Sequence, residues 1–315
     1  MAKTTFDLIR ETVRGETLFN APMREHTTIQ VGGPADLLIH PADRDDLAVL
    51  VELLAERGVP HFVLGNGSNL VVRDGGIRGA VICLDQGFRG IERRDAPDGR
   101  PRLWIEAGAL LRALVRWTVD QGISGFAELS GIPATVGGAI AMNAGAWGVS
   151  IGDQVVELEV MDRTGATHVY PREMLRFGYR RLDLPPDAII LGALLRGEES
   201  TSSAVKDRAK ELYRKRKERQ PVRDPSAGCV FRNPTSGNAG EMIDGCGLKG
   251  VRVGDAQIST VHANFIINAG SATAVQVVSL IGMIQERVYV KHKIKLESEV
   301  HIVGEWEKGK LRISE

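Results

Sequence analysis

The sequence predicts a mixed α and β fold built from at least two sub-domains, and three observations lead there. Its 315 residues exceed the ~250–300 at which a single hydrophobic core usually stops growing. Short apolar runs of strand length recur between longer stretches with helical spacing. The composition, 43% hydrophobic with 36 glycines, is globular but rich in the residue used where backbone turns sharply or approaches a ligand closely.

Taken in order, Asp43 can cap a helix over RDDLAVLVELLAERG, with Leu47, Leu50, Val51 and Leu54 on one face and Gly58 as the stop. HFVLG at 61–65 and AVICL at 80–84 read as strands around a turn-rich stretch, so the first ~90 residues form a small α/β unit. A charged loop, a strand LWIEAGA and a helix LLRALVRWTVDQG follow. A glycine- and alanine-rich segment from Gly125 to Gly152 is too irregular for one element. Strands VVELEVMD and THVY flank the turn at Arg163, Thr164 and Gly165, and AIILGALL is another strand before a charged helix over 203–219 that Gln220-Pro221 ends. A short helix near AGEMIDGCG, a strand NFIINAG, an amphipathic helix over 272–290 and a last strand at LESEVHIVG complete the chain.

Lys plus Arg (40) equals Asp plus Glu (40), so no global field gathers nucleic acid or an anionic membrane. The first residues carry Asp7, Arg10 and Glu11 where a signal peptide needs an apolar core, and no run of 18 apolar residues occurs. These features predict a cytoplasmic protein without a membrane span. Cys83, Cys229 and Cys246 are widely spaced and odd in number, which fits reduced thiols and no metal site.

Several motifs fail on context. Gly245-Cys246-Gly247-Leu248-Lys249-Gly250 matches GxGxxG, but a helix precedes it and VRV follows, the reverse of a dinucleotide fingerprint, so it reads as a helix terminus. Residues 304–310 resemble the start of a phosphate loop, yet Leu311 replaces the Ser/Thr that would bind magnesium; a hairpin or tail fits better. HExxH and GxSxG are absent. His262 with Cys246 suggests packing or hydrogen bonding rather than a ligand pair. The basic helix KDRAKELYRKRKERQ is interrupted by Asp207, Glu211 and Glu218 and reads as a solvated face.

Two glycine-rich loops remain, LGNGSNLVV at 64–72 and SGIPATVGGAIAMNAGAWG at 130–148. Either alone is a tight turn or a phosphate cradle. With the words around them they resemble the UDP-N-acetylenolpyruvoylglucosamine reductase family from about Thr27 to Gly304. The resemblance runs through TTIQVGGPAD, LGNGSNLVVRDGG, GIPATVGGAIAMNAGAWG, FGYR, AGCVFRNP, AGEMIDGCGLKG, HANFIINAG and LESEV, in that order.

The resemblance implies an α+β architecture: a two-sub-domain FAD-binding fold of the vanillyl-alcohol-oxidase/p-cresol-methylhydroxylase type plus a smaller α/β domain for a UDP-sugar. The boundaries it suggests are 1–88, then 89–220 with 295–315, and 221–294 for the substrate, with the final strand returning so that Glu299 meets Arg180. It places FAD against Gly65, Asn66, Gly67, Ser68, Asn69 and Leu70 in the first loop. In the second the implied contacts are Gly131, Ile132, Pro133, Thr135, Gly137, Gly138, Ala139, Asn143, Gly145 and Ala146. Glycines 65 and 67 let backbone approach a diphosphate, and Ser68 and Asn69 add side-chain donors. Loop 65–69 offers no His or Cys for attachment, so the FAD is non-covalent.

The resemblance further implies NADPH as co-substrate and hydride transfer to an enolpyruvyl ether. Arg180 matches the cation facing the developing enolate, Cys229 the proton donor, and Glu299 the acid that stabilises the enolic form. Read without the family, these are a surface ion-pair residue, a small buried hydrophobe and a solvent-facing strand residue. Tyr179, Arg232, Asn233, Lys249 and Asn264 fall on the substrate side. Arg181-Leu182 departs from the fuller pattern, and an inserted loop bearing a substrate-binding Tyr is missing. A monomer is expected. The rival readings are an FAD-linked oxidase of a small alcohol or sugar, and a nucleotide-binding protein without turnover.

Overall fold

Residues 4–97 and 99–307 of the chain are described by a computed structural model. Among them are seven α-helices: α1 (Thr5–Thr12), α2 (Arg44–Glu56), α3 (Leu111–Gln121), α4 (Val136–Ala141), α5 (Ser202–Arg219), α6 (Ala239–Gly245) and α7 (Ala274–His292). Helix α2 forms as its spacing predicts. The Asp43 side chain accepts from the Asp46 N–H at 3.0 Å, and Leu47, Leu50, Val51 and Leu54 are buried. Truncating one such leucine to alanine costs about 2–5 kcal/mol. Helix α3 stops at Gly122, whose φ of +67° is the left-handed conformation that ends helices. Thr273 and Gln276 form a reciprocal capping box at the start of α7. The same device, Thr4 with Asp7, starts α1 in the segment read above only as an unsuitable signal peptide.

The chain divides into two compact units, one comprising Met1–Leu18, Leu37–Asn66 and Gly79–Lys215, the other Phe19–Asp36, Gly67–Arg78 and Arg216–Glu315. A four-stranded sheet has the order Glu16–Pro22, Pro34–His40, Ile77–Cys83, His61–Leu64. Its last two strands are parallel, as expected of the α/β unit around α2.

In the first unit an antiparallel five-stranded sheet has the order Thr167–Pro171, Val155–Met161, Ile189–Arg196, Arg102–Glu106, Ile91–Arg93. Its core joins α2 and α3 to these strands through Leu50, Leu54, Leu103, Ile105, Leu114, Leu158 and Leu191, among others. The irregular segment 125–152 resolves into short pieces. Helix α4 is one, and a tight hairpin Gly145–Ala146/Val149–Ser150 is another, with Trp147 (φ +57°) and Gly148 (φ +80°) as its two-residue turn. Positive φ at both central positions matches the right-handed twist of hairpin strands.

In the second unit the antiparallel order is Ser226–Cys229, Phe265–Asn268, Ala256–Ile258, Arg252–Val253. Helix α7 covers a separate core that includes Phe231, Ile243, Ile258, Ile266, Leu280 and Ile284. The last described strand, His301–Val303, pairs in parallel with Leu70–Val72. After α6 the glycines at 247 and 250 take φ of +71° and +80°, so the GxGxxG run is the helix terminus that its context predicts. Residues 308–310 of the phosphate-loop-like run, and all of 308–315, lie outside the described residues.

Candidate active site

In the first unit the two glycine-rich loops lie against each other. A Cβ on Gly65 would stand 2.7 Å from Thr135 Oγ1, and Asn66 Nδ2 donates to the Pro133 carbonyl at 2.7 Å. A side chain at 65 would therefore displace the Thr135 hydroxyl. Thr135 caps α4, its hydroxyl accepting from the Gly138 N–H at 3.2 Å. Gly137 N–H donates to the Ala107 carbonyl and Ala139 N–H to that of Thr135, both at 2.8 Å. The cofactor contacts implied at Gly137, Gly138 and Ala139 thus have their amide hydrogens engaged inside the protein. The amides of Asn66, Gly67 and Ser68 differ: none has an acceptor among the described residues. Successive outward N–H groups around a left-handed residue, here Gly67 at φ +60°, make an anion cradle. That loop is where the residues present fit the diphosphate of FAD, and it contains no side chain able to attach flavin covalently.

Arg180 and Tyr179 form the turn of a hairpin, Arg176–Gly178 against Arg181–Asp183. Arg180 has φ +56°, and its guanidinium carbon lies 5.3 Å from the centroid of the exposed Tyr179 ring. Asn143 Nδ2 donates to the Gly178 carbonyl at 2.9 Å, and its Oδ1 accepts from the Gly152 N–H at 3.1 Å. Ala146 and Gly145 belong to the neighbouring hairpin; Gly131 is a positive-φ turn and Ile132 packs on the core.

In the second unit, Gly67 lies so close to His26 that a Cβ would meet its carbonyl oxygen at 2.3 Å. The Gly67 carbonyl accepts from the Thr28 N–H at 3.2 Å, and Thr28 Oγ1 donates to the Ser226 carbonyl at 2.6 Å. Thr28 so ties the cradle loop to the strand bearing Cys229, a role that residue spacing does not reveal. A bulge between Ser226 and Cys229, with Gly228 at φ +76°, leaves Cys229 opposite Phe265 and half-buried. Buried Arg216 interacts electrostatically with the Cys229 sulfur, while burial lowers its own affinity for the proton. The Glu299 N–H donates to the Val230 carbonyl at 2.7 Å, and the Glu299 carbonyl accepts from Asn69 Nδ2 at 3.0 Å. Cys229 and Glu299 are thereby carried on adjoining backbone. Leu70 is buried.

The substrate-side residues separate. Arg232 is half-exposed, 3.9 Å from Glu297, and its buried Nε has no hydrogen-bond partner among the described residues. Asn233 Oδ1 accepts from the Ala239 N–H at 3.0 Å. Lys249 pairs with Asp244 at 2.7 Å. Asn264, 3% exposed, clamps the Phe231 backbone with both ends of its amide, at 2.9 and 2.8 Å. Both polar ends of that side chain are thus engaged with backbone. His262 Nδ1 accepts from the Asn264 N–H and the ring packs on Phe265, whereas Cys246 faces the Arg287 carbonyl; they form no ligand pair. On α5 the charges pair along a solvated face, Arg208 with Glu128 and Glu211 with Lys215. No described helix is long and apolar enough to cross a membrane.

Two family models match the chain: an FAD binding domain over residues 35–170 and the C-terminal domain of UDP-N-acetylenolpyruvoylglucosamine reductase over residues 220–303. The reductase of Geobacter metallireducens is 45% identical over 297 residues, covering 94% of this chain and 97% of that protein. The reductase of Pelobacter propionicus is 43% identical over 293 residues, covering 93% and 97%. The crystal structure of the enzyme from Thermus caldophilus superposes with a TM-score of 0.79 at 39% identity, covering 93% of this chain and 99% of that one. The α+β fold is thus that of an FAD-binding reductase, and the chain belongs to the UDP-N-acetylenolpyruvoylglucosamine reductase family.

Proposed function

We propose that the chain is an FAD-dependent enzyme that uses NADPH to reduce UDP-N-acetylglucosamine enolpyruvate to UDP-N-acetylmuramate, a step of peptidoglycan precursor synthesis. The observation that carries this reading is the bulged strand ending at Cys229, whose backbone neighbour Val230 also holds the Glu299 N–H. An acidic proton donor and a carboxyl group are the pair that reduction of an enol ether needs beside a hydride source.

FAD, when bound, would supply that source, with NADPH as the reductant and the β carbon of the enolpyruvyl group as the acceptor. The amides of Asn66, Gly67 and Ser68 would hold its diphosphate. As the β carbon gains its hydrogen, the double-bond pair moves to the α carbon and spreads into the carboxylate. Arg180, permanently charged and planar, offers a forked contact to that carboxylate. The Cys229 thiol gives its proton to the α carbon and is left as thiolate. Glu299 donates a hydrogen bond to the enolic form in its protonated state. Arg232, with its unpartnered Nε, suits the UDP diphosphate; Asn233, Tyr179 and Lys249 are secondary contacts.

The division into 1–88, 89–220 with 295–315, and 221–294 is proposed with the mechanism; the start of the C-terminal family model at residue 220 lies beside its last boundary. A cytoplasmic location is proposed because NADPH and a nucleotide sugar are cytosolic metabolites, and a monomer is proposed with it. An oxidase is disfavoured, since the reductase-specific model covers residues 220–303. The test is NADPH oxidation by the purified yellow protein with and without the enolpyruvyl UDP-sugar. Stoichiometric, substrate-dependent oxidation is expected; oxidation indifferent to that sugar overturns the reading.

A further inference from the structure

Among the described residues the hairpin bearing Arg180 has three residue pairs, Arg176 with Asp183, Phe177 with Leu182 and Gly178 with Arg181, and belongs to no larger sheet. A ribbon of this size is marginal in water, yet it presents an arginine in the left-handed region at φ +56°, where non-glycine residues are uncommon. Its conformation must be imposed from outside.

Asn143 supplies the constraint. It follows α4 in the second glycine-rich segment, with φ +42°, a conformation that asparagine tolerates better than most residues. Its N–H donates to the Ile140 carbonyl at 2.9 Å, fixing the backbone. The amide oxygen then accepts from the Gly152 N–H at 3.1 Å, and the amide nitrogen donates to the Gly178 carbonyl at 2.9 Å, the last backbone acceptor before Tyr179 and Arg180. Gly152 is matched to this clamp, because a Cβ there would lie 2.7 Å from both Asn143 Oδ1 and Phe177 Cδ1. Arg172 covers the Phe177 ring at 5.0 Å. A side chain predicted as a cofactor contact is thus committed at both ends to the backbone that sets the Arg180 turn.

We infer that Asn143 is a positioning residue for Arg180, locking the 176–183 hairpin so that the guanidinium is held ready for the substrate carboxylate. This rests on the role proposed for Arg180. Misplacing a catalytic group by about 1 Å from a distant site costs up to roughly a hundredfold in rate, so loss of the clamp is a kinetic defect even where the fold survives.

The test uses the full-length, FAD-loaded protein as N143G and N143D. Glycine keeps the positive φ and deletes both bonds; aspartate keeps the acceptor but turns an oxygen toward the Gly178 carbonyl. Hydrogen exchange should accelerate in 176–183 in both variants and stay unchanged in α3. Rapid mixing should show flavin reduction by NADPH at the parental rate and reoxidation by the enolpyruvyl substrate slowed roughly tenfold to a hundredfold. N143G combined with R180K should be no slower than R180K alone. Parental exchange in the hairpin, parental reoxidation in N143G beside a slow R180K, or a loss confined to flavin reduction would each overturn the inference. Parental reoxidation in R180K itself would instead overturn the role of Arg180.

Discussion

The side-chain amide of Asn69 donates to the Glu299 backbone carbonyl at 3.0 Å, and the Asn69 carbonyl accepts from the His301 N–H at the same distance. The two bonds bracket Val300, directly after Glu299, and begin the parallel pairing of Leu70–Val72 with His301–Val303. One side chain of the first glycine-rich loop therefore fixes the backbone of a catalytic candidate 230 residues away in sequence. Asn69→Ala removes the donor and leaves that carbonyl less well satisfied, which should cost about 1–2 kcal/mol of unfolding free energy. Urea denaturation checks this, and a parental midpoint would show that water replaces the amide at no cost.

Gly65→Ala should impair FAD retention more than it impairs folding. The added Cβ would stand 2.7 Å from Thr135 Oγ1, and moving that hydroxyl sacrifices the α4 cap, worth about 1 kcal/mol. The distortion also falls next to the cradle amides. Flavin absorbance per mole of protein after gel filtration should drop in the variant. In the parent, acid precipitation should leave the yellow chromophore in the supernatant, because no residue of the 65–69 loop can bond flavin covalently.

His301 sets a pH prediction. Partial desolvation of a side chain that is otherwise exposed, and then the charge of Arg232, hold its pKa below the ordinary 6.5. On acidification the unfolded chain takes up this proton first, so stability present above about pH 6.5 is lost as the pH falls toward the folded-state value. His262 is lowered in the same direction, by burial and then by Lys249. Unfolding free energy should therefore decline between about pH 7 and 5, and His301→Asn should flatten part of that decline. An unchanged slope in the variant would show that His301 keeps its solution pKa.

Helices were the legible part of this fold. Asp43, Gly58 and the Leu47–Leu50–Val51–Leu54 face mark α2 because capping and helical periodicity are local properties. The pairing of residues 70–72 with 301–303 was not legible, since nothing local in either strand names its partner. The same distinction runs through the site. The left-handed turn at Gly67 was visible as GNGS, because glycine conformational freedom is written in the residue type. Asn143 and Asn264 look like ligand donors in sequence, but only tertiary structure reveals that backbone groups of Gly178, Gly152 and Phe231 already occupy their amides. Thr28 carried no signal beyond a Thr-Thr pair.

Arg180→Lys should not restore turnover although charge is kept. An ammonium group is a point donor and cannot reproduce a planar fork on a carboxylate, and losing one such electrostatic contact typically costs about a hundredfold to a thousandfold. Steady-state kcat with the enolpyruvyl substrate is the measurement. Near-parental kcat would remove Arg180 from the site.

Cys229 separates the two halves of the reaction. Passage of hydride from NADPH to flavin uses no proton from this thiol, so Cys229→Ala should still bleach the bound flavin when NADPH is added. Reoxidation by the enolpyruvyl substrate should then slow by roughly a hundredfold to ten-thousandfold, the usual range for losing a positioned general acid. The position supports such a role: the bulge and the left-handed Gly228 keep the sulfur half-buried rather than packed away, and the Arg216 cation interacts with it. Cys229→Ser should be much less damaged, because a hydroxyl keeps a donor in place. Stopped-flow absorbance of the flavin follows both halves. If Cys229→Ala reoxidised as fast as the parent, or if flavin reduction itself collapsed with the fold intact, Cys229 would be a packing residue and the proton would come from elsewhere.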